Sequence, residues 1–284
     1  MQNLKEYLRP GSATEAVRMK QQYGRRAVYL AGGSDLLVHR PPHVEVAVDI
    51  LHADLGYVLD GGDDLVIGGA ALLRDAEIAV AGLTGNMLAL AFRDTAPWLI
   101  RNSATVAGNI ANASPAADSV PALLAVDAEL LVLGDREERV MLSDVLVGPH
   151  QTTLGDRLIR EIRIPQSVIR RRGIFKKLAR SHSDIAQVNM AVSYIDDGDL
   201  VKDVRIAVGA VAPTAVRATG AEALVEGHAP ADVDLDRVEK AVRDGIAPIS
   251  DWRASAEYRS RMAGVLVRRA LQSLFAGLET GVAG

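Results

Sequence analysis

Two segments rich in small residues, far apart in the chain, are the first candidates for chemistry. One runs from Ala31 to Asp35 (AGGSD) after an apolar run, and the other from Thr105 to Asn109 (TVAGN). Glycines let main-chain N–H groups approach a ligand with no Cβ in the way, and successive N–H groups form a concave anion-binding site. Ser34 and Thr105 add uncharged donors. Two such segments can grip the two halves of a diphosphate, although each alone is also typical of a tight turn.

Neither segment carries a recognised phosphate-binding fingerprint. The stretch AGGSDLL lacks the third glycine of G-x-G-x-x-G, and neither segment contains G-x-x-x-x-G-K-[ST]. Asp118, in SPAADSVPAL, is the acidic residue nearest the second segment. It can cap the helix that is predicted after Pro121, the commoner use of Asp at such a position, or accept hydrogen bonds from a ribityl or ribose hydroxyl.

A third candidate is the stretch FKKLARSHSD, which places Lys176, Lys177 and Arg180 close together. A solvated basic turn and a ligand-binding turn both remain open for these cations. The residues HSD that follow have the types of a catalytic triad. Triad members are assembled in space, however, and adjacent residues rarely form one.

The composition excludes several kinds of site. Because none of the 284 residues is cysteine, the chain can form no disulfide, thiolate nucleophile or Cys-ligated iron–sulfur cluster. His39 and His43 have a helical metal-site spacing, but Pro41 and Pro42 between them forbid a helix interior, so we expect no metal site. A net charge of −4 and an aromatic content of 4% argue against a nucleic-acid surface.

The hydropathy pattern indicates a globular protein without a membrane span. No apolar run approaches the roughly 20 residues of a transmembrane helix, and the N-terminal MQNLKEYLRP has no apolar signal core. We therefore expect a cytoplasmic location, unless a partner carries the chain across a membrane.

The first 55 residues predict an α/β unit that leads into the first small-residue segment. SATEAVRMKQQYG opens with a Ser12/Thr14 capping signal and ends at Gly24, which predicts a helix. AVYLAGG predicts a buried strand stopped by glycine. VEVAVDI, from Val44 to Ile50, alternates with the period of a strand.

The middle of the chain holds the second segment. GGDDLVIGGAAL predicts a turn and a strand, and NMLALAFRDTAPWLI predicts a helix that ends or kinks at Pro97. The small-residue stretch that starts at Arg101 is expected to be a loop, with a helix after Pro121 and a strand from Glu129 to Leu133. DRLIREIRIP predicts a further strand ending at Pro165.

The last third predicts strands followed by helices. RRRGIFKKLARSHSDIAQVNMAVSYI is expected to form two strands, or a strand and a loop, and DLVKDVRIAVGAVAP one more strand. VRATGAEALVEG, DLDRVEKAVRDGI and SAEYRSRMAGVLVRRALQSLFAGL predict helices. The last of them has a predicted core-facing stripe at Tyr258, Met262, Val265, Leu266, Ala270 and Leu274. We place domain boundaries near residues 55 and 170.

Three stretches together resemble one protein family. LAGGSDLL, IRNSATVAGNIANASPAADSVPALLAVDAEL and FKKLARSHSDIAQV resemble, in this order, the FAD-binding medium subunit of the xanthine dehydrogenase and carbon monoxide dehydrogenase family of molybdenum hydroxylases. The resemblance covers nearly the whole chain and is strongest from 28 to 190. It implies an α+β fold of the p-cresol-methylhydroxylase (PCMH) type. Two α/β subdomains, 1–55 and 56–170, would hold FAD, and a C-terminal domain, 171–284, would add an antiparallel sheet and helices.

The resemblance also implies which residues bind FAD. The segments Ala31 to Asp35 and Thr105 to Asn109 would hold the pyrophosphate from two sides. Asp118 stands where the family has an acid near the ribityl and adenosine side, and Lys177 or its neighbour Lys176 where a lysine approaches the flavin ring. The implied FAD contacts are Leu30, Ala31, Gly32, Gly33, Ser34, Asp35, Leu36, Ile100, Ala104, Thr105, Val106, Ala107, Gly108, Asn109, Asp118, Ile162, Lys176 and Lys177.

The sequence departs from the family pattern at two of these positions. Ser34 stands where threonine or histidine is usual, which keeps a hydroxyl if threonine is the reference. Ala107 stands where the family usually has glycine, and its methyl group requires a negative φ or a small shift of the loop. The second departure bears on how tightly the phosphates would be held.

The activity that the resemblance implies is electron transfer, so no catalytic residue is expected in this chain. In the family, a large subunit oxidises substrate at a molybdopterin cofactor and a small subunit with two [2Fe-2S] clusters relays the electrons. FAD then passes them to NAD, a quinone or oxygen. A dimer of such heterotrimers is expected. Two alternatives stay open: a free-standing FAD oxidoreductase of the same fold, and a structural subunit that has lost the flavin.

Overall fold

The computed structural model describes residues 3–39 and 41–277. The N-terminal part is a small parallel sheet covered by one helix. The strand order is β1-β3-β2, with both pairings parallel. Its elements are β1 (Glu6–Leu8), α1 (Ala13–Tyr23), β2 (Ala27–Leu30), α2 (Leu36–His39) and β3 (Val46–Asp49).

Helix α1 is confirmed with the predicted ends. The Ser12 hydroxyl accepts a hydrogen bond from the N–H of Glu15 at 3.2 Å, and Gly24 follows the last helical residue. Strand β3, in contrast, is buried on both faces despite its alternating sequence. It is the central strand of the sheet, so it has no solvated face for the pattern to mark.

The middle part is a five-stranded antiparallel sheet with helices packed on it. The strand order is β4-β5-β10-β6-β7, and a separate hairpin joins β8 and β9. The elements are β4 (Val58–Asp60), β5 (Asp64–Gly68), α3 (Leu73–Ala79), α4 (Met87–Asp94), α5 (Trp98–Arg101), α6 (Val106–Asn112), α7 (Ser119–Leu124), β6 (Glu129–Leu133), β7 (Glu137–Met141), α8 (Leu142–Val145), β8 (Leu146–Gly148), β9 (Gln151–Thr152), β10 (Leu158–Pro165) and α9 (Gln166–Ile169).

Helix α6 corrects the expectation of a continuous loop after Arg101. Thr105 is its N-cap, because the hydroxyl accepts the N–H of Gly108 at 3.0 Å, and Ala113 ends the helix with a left-handed φ of 46°. The cap and one buried face outweigh the weak helix preference of glycine and asparagine. Helix α7 likewise begins before Pro121, since proline is tolerated in the first turn.

The last third is an antiparallel sheet followed by helices, as predicted. The strand order is β11-β12-β13-β14. The elements are β11 (Arg172–Leu178), β12 (Val188–Asp197), β13 (Leu200–Gly209), β14 (Val216–Arg217), α10 (Thr219–Glu222), α11 (Leu235–Asp244) and α12 (Ala256–Phe275); short 3₁₀ turns lie at Gly24–Arg26, Leu83–Asn86 and Pro230–Asp232. The stretch VRATGAEALVEG thus gives β14 and a single helical turn rather than a full helix.

The buried face of α12 differs from the predicted stripe. Tyr258 is exposed, and Met262, Val265 and Leu266 are only half-buried. The face that packs inward consists of Arg259, Ala263, Gly264, Val267, Ala270, Leu271 and Leu274. The prediction was wrong for Tyr258, whereas Met262 and Leu266 pack against the core of the last third. The stripe misses the small residues that face the neighbouring helix: a Cβ on Gly264 would lie 2.8 Å from the Glu239 side chain.

Buried apolar side chains form three clusters, and two of them cross the predicted boundaries. The N-terminal cluster includes Leu133 and Leu158 from the middle of the chain. The largest cluster includes Phe175 and Ala191 from the last third. The α+β class is confirmed, while the division at 55 and 170 stays a prediction. In the described ranges, no helix has both the length and the apolar character for crossing a bilayer.

Candidate functional site

The two small-residue segments meet at one cavity of about 600 Å³. Its walls come from the end of β2, from the region between α4 and α7, from the start of β10 and from the turn between β11 and β12. A volume of this size lies within the range of roughly 300–1,000 Å³ that is typical of cofactor sites. Predicted site residues in the wall are Leu30, Ala31, Gly32, Gly33, Ser34, Asp35, Leu36, Ile100, Ala104, Thr105, Ala107, Gly108, Asn109 and Asp118.

The first segment presents bare main chain to the cavity. Gly33 has a left-handed φ of 66°, and its carbonyl oxygen accepts the N–H of Leu37 at 3.0 Å, which turns the chain into α2. Within the described part of the chain, the N–H groups of Gly32, Gly33 and Ser34 donate to no protein acceptor. Unpaired N–H groups that follow one another around a turn are suited to an anion.

The second segment is held against the first by main-chain contacts. A Cβ on Gly32 would lie 1.7 Å from the carbonyl oxygen of Ser103, so the two chains touch at this point. The carbonyl oxygen of Ala104 accepts the N–H of Leu73 at 2.8 Å, which fixes the entry to α6. The segment that was expected to be a loop is therefore the capped first turn of a short helix.

Two side chains of α6 bear directly on the cavity. The Ser119 hydroxyl donates to Asn109 Oδ1 at 2.6 Å, which leaves the NH₂ of the same amide for another acceptor. Ala107 lies inside the helix and is absent from the residues with positive φ. The negative φ that its methyl group requires is thus supplied by the helical main chain.

Asp118 forms a buried ion pair instead of a helix cap. Its residue is 3% exposed, its Oδ2 lies 2.8 Å from Lys177 Nζ, and its Oδ1 accepts from Asn189 Nδ2 at 2.6 Å. Burial raises the pKa of Asp118 to about 6, against the opposing effects of Lys177 and Asn189. The carboxylate makes no capping bond to α7, so that alternative for Asp118 is wrong.

The pleat of β11 places Lys176 and Lys177 on opposite faces of the strand. Successive side chains of a strand point to opposite faces, so Lys177 is buried with 6% of its side chain exposed while Lys176 is exposed. The ammonium of Lys177 also donates to the carbonyl oxygen of Asp94 at 2.7 Å. In the stretch that follows, His182 Nε2 lies 3.7 Å from a carboxylate oxygen of Asp94, so the sequence HSD forms no triad among its own residues.

Four predicted contacts lie outside the cavity wall. Val106 and Ile162 are fully buried, and Ile162 pairs with its neighbours at the centre of the five-stranded sheet. Lys176 points to solvent, and Lys177 reaches the wall only through Asp118. A direct contact of any of the four with FAD stays a prediction.

The family models match both parts of the chain. Residues 2–167 match the FAD-binding domain of molybdopterin dehydrogenases, and residues 173–274 match the C-terminal domain of carbon monoxide dehydrogenase flavoproteins. The chain belongs to the flavoprotein subunits of the carbon monoxide and xanthine dehydrogenase family. It is thus the FAD-binding component of a dehydrogenase of the molybdenum hydroxylase type.

Individual relatives cover almost the whole chain. The carbon monoxide dehydrogenase medium chain of Hydrogenophaga pseudoflava is 32% identical over an alignment 286 residues long. The alignment covers 95% of this chain and 97% of the relative. The xanthine dehydrogenase FAD-binding subunit of Escherichia coli O157:H7 is 29% identical over 281 residues, 95% of this chain and 96% of the relative. A solved structure of the Hydrogenophaga carbon monoxide dehydrogenase, lacking the Mo-pyranopterin moiety of its cofactor, superposes with a TM-score of 0.91 at 31% identity. That match covers 96% of this chain and 98% of the other.

The cavity of this flavoprotein subunit fits FAD on three structural grounds. The volume is that of a cofactor site. Among the described residues, three that line it in the first segment have main-chain N–H groups without a protein acceptor, and the absence of a Cβ at Gly32 lets the second segment close against the first.

Sequence reasoning missed several residues of the wall. Tyr29 lines the cavity and donates to the carbonyl oxygen of Asp156 at 2.8 Å, and burial raises the pKa of its phenol. Arg157 and Ile185 also line it. These residues lie in strands or turns whose sequence contains no pattern that marks them as ligand contacts.

Proposed function

We propose that this subunit binds FAD in the cavity, with the pyrophosphate between Ala31 to Asp35 and Thr105 to Asn109. One observation carries the proposal: two segments about 70 residues apart in the chain meet at one cavity, and the first of them presents unpaired main-chain N–H groups to it. The Asn109 amide supplies a further donor because Ser119 occupies its oxygen.

The Asp118 carboxylate is assigned to the sugar hydroxyls of FAD. It is the buried acid of the wall, and at neutral pH it is largely ionised, so it accepts hydrogen bonds from hydroxyl groups. Lys177 acts through Asp118, since its ammonium lies against the carboxylate and not in the wall. Leu36, Ile100 and Ile185 give the cavity apolar side chains against which an aromatic ring can pack.

Within a complex, the subunit would pass electrons from the [2Fe-2S] clusters of a small subunit to an external acceptor: NAD, a quinone or oxygen. Bound FAD supplies the redox chemistry, and the residues of this chain bind and orient it. A large molybdopterin subunit would oxidise the substrate. The absence of cysteine supports a separate cluster-bearing subunit, and the relatives' names, medium chain and FAD-binding subunit, support a multi-subunit assembly. A dimer of heterotrimers in the cytoplasm is part of the same proposal.

The first experiment is FAD uptake by the subunit expressed alone. We expect a yellow protein, or an apo-protein whose melting temperature rises on adding FAD, because ligand that binds only the folded state stabilises it. A colourless protein with no FAD-dependent shift would favour the flavin-less structural subunit instead.

A second experiment identifies the acceptor. The FAD-loaded subunit is reduced chemically without oxygen and mixed separately with NAD, a quinone and air, while the flavin absorption is followed. The three reoxidation rates are compared at equal acceptor concentration, and the fastest identifies the acceptor. Turnover of an alcohol by the isolated subunit, with no partner present, would point to the free-standing oxidoreductase and contradict the proposed role.

A further inference from the structure

Asn189 connects the C-terminal sheet to the cavity wall. It is 0% exposed at the start of β12, directly opposite Gly209 of β13. Its Nδ2 donates to Asp118 Oδ1 at 2.6 Å. Because a carboxylate offers only acceptors, this contact fixes the orientation of the amide: nitrogen toward Asp118 and oxygen toward Gly209.

The amide oxygen of Asn189, on the side away from Asp118, lacks a hydrogen bond to offset the cost of its burial. Among the described residues, Asn189 Oδ1 has no hydrogen-bond partner, although it is buried. Buried polar atoms are paired in the great majority of cases, and an unpaired one calls for an explanation. The sheet tolerates this unfavourable group in order to present Nδ2 to the carboxylate.

Gly209 provides the room for this arrangement. A Cβ at that position would lie 2.1 Å from Asn189 Oδ1 and 3.1 Å from Pro121 Cγ. Any other residue at this point of β13 would therefore push the amide away from its place. Gly209 is the last residue of β13, and the absence of a side chain there leaves the space that the Asn189 amide occupies.

We propose that Asn189, in the space left by Gly209, is a positioning residue that holds the Asp118 carboxylate in the orientation that FAD requires. The inference rests on the proposed function, in which Asp118 receives the sugar hydroxyls. Asn189 fixes one carboxylate oxygen and Lys177 fixes the other. Each oxygen keeps a further lone pair, and Asp118 lies in the cavity wall, so these lone pairs are the ones that we assign to the sugar hydroxyls.

The surroundings of Asp118 predict a pH signature. The groups that face it are Lys177 from β11, Asn189 from β12 and Asp94 at the end of α4, and His182 faces Asp94 in turn. The hydrogen bond from Asn189 stabilises the ionised form, so its loss raises the pKa of Asp118. FAD binding, which needs the carboxylate, would then begin to fail at a higher pH.

Three variants test the inference: Asn189→Ala, Gly209→Ala and the double variant. The dissociation constant of FAD is measured by titrating each apo-protein from about pH 5 to about pH 8. The series is repeated in the His182→Gln background, because the His182 ring faces Asp94, which in turn faces Asp118. Each single variant should bind FAD roughly tenfold more weakly, the effect of losing a hydrogen bond to a charged group. Both should shift the pH midpoint upward.

The double variant gives the sharpest outcome. Once the amide is gone, Pro121 Cγ at 3.1 Å is the nearest neighbour left to the methyl group of Gly209→Ala, and that contact does not involve Asp118. The double variant should therefore bind FAD no more weakly than Asn189→Ala. Additive losses, or a Gly209→Ala variant with wild-type affinity and midpoint, would overturn the inference. If Asn189→Ala does not fold, the same comparison is made with Asn189→Ser.

Ser193→Ala is the matched control. Ser193 lies on β12 four residues further on, is equally buried and donates to the carbonyl oxygen of Ala125, away from Asp118. This variant should lower the melting temperature and leave the FAD affinity and its pH midpoint unchanged. If the wild-type protein itself takes up no FAD, the proposed function fails. If the wild-type protein binds FAD and the Asn189 and Gly209 variants bind it with the same affinity and pH midpoint, this inference alone fails.

Discussion

Gly32 lies so close to the main chain of Ser103 that a β-carbon on it would sit 1.7 Å from the Ser103 carbonyl oxygen. Real Cβ atoms do not approach a carbonyl oxygen to this distance, and the obstacle is main chain rather than a side chain that can rotate. The contact joins the two small-residue segments on which FAD binding depends. Glycine at 32 is thus required by the neighbouring chain, independently of the ligand.

We therefore expect Gly32→Ala to abolish FAD retention, because the methyl group separates the two segments. The measurement is the ratio of bound flavin to protein after purification, together with the melting temperature. Gly220→Ala is the control, since nothing lies within 4 Å of a Cβ at that helical position. Normal flavin content in Gly32→Ala would contradict the proposed arrangement of the two segments.

The sequence was sufficient to find both segments but not the way in which they meet. Gly33 beside Ser34 and Gly108 three residues after Thr105 mark main chain that a ligand can approach, and that chemistry is local. The contact between Gly32 and Ser103 depends on how two sheets pack, which no local pattern contains. The order of the three motifs along the chain predicted this convergence through family resemblance, and the FAD-binding domain model covers both segments.

Local propensity misled where tertiary contacts decide. The stretch after Arg101 has glycine, asparagine and alanine in place of an apolar periodicity, so its helix α6 was taken for a loop. Asn189 stands in an apolar strand pattern with nothing to mark it as a partner of Asp118, 71 positions away. Such residues become visible only when strands from one part of the chain pack on helices from another.

Thr105→Val should destabilise the protein by about 1 kcal/mol, the usual effect of losing an N-cap side chain. Its hydroxyl is the acceptor for the N–H of Gly108, and valine has nearly the same shape without the acceptor. Urea unfolding of the apo-protein measures the loss. Thr105→Ser keeps the hydroxyl and should stay close to wild type. A Thr105→Val variant as stable as wild type would contradict the assigned cap, and a loss confined to Thr105→Ser would assign the stability to the methyl group.

Asp118 should make the apo-protein less stable as the pH rises from about 4 to about 6. Its pKa is about 6 in the folded protein against 3.8 for the unfolded chain, so the folded state binds the proton more tightly in this window. The stabilisation is complete below pH 4 and is lost as the pH passes the folded value, a change of about 3 kcal/mol. The observable is the difference in unfolding free energy between wild type and Asp118→Asn, which should decrease over this range and level off above it. A flat difference would show that Lys177 cancels the effect of burial.

Arg101→Met should cost about 3 kcal/mol in unfolding free energy and weaken FAD binding as well. The guanidinium is 7% exposed, lies 3.3 Å from Glu77 Oε2 and donates to the carbonyl oxygens of Arg93 and Ala96, the second of which belongs to a residue of the cavity wall. Removing it leaves the mostly buried Glu77 carboxylate with one positive partner fewer and frees that part of the wall, which is why one substitution affects both properties.

Adding Glu77→Gln to Arg101→Met should recover part of the stability but not the FAD affinity, since the neutral amide removes the uncompensated charge without restoring the bonds to the wall. Arg74→Met, which deletes the more exposed partner of Glu77 at 3.0 Å, should change stability by less than about 1 kcal/mol. Recovery of both properties in the double variant would show instead that the charge of Glu77, and not the positioning of the wall by Arg101, controls FAD binding.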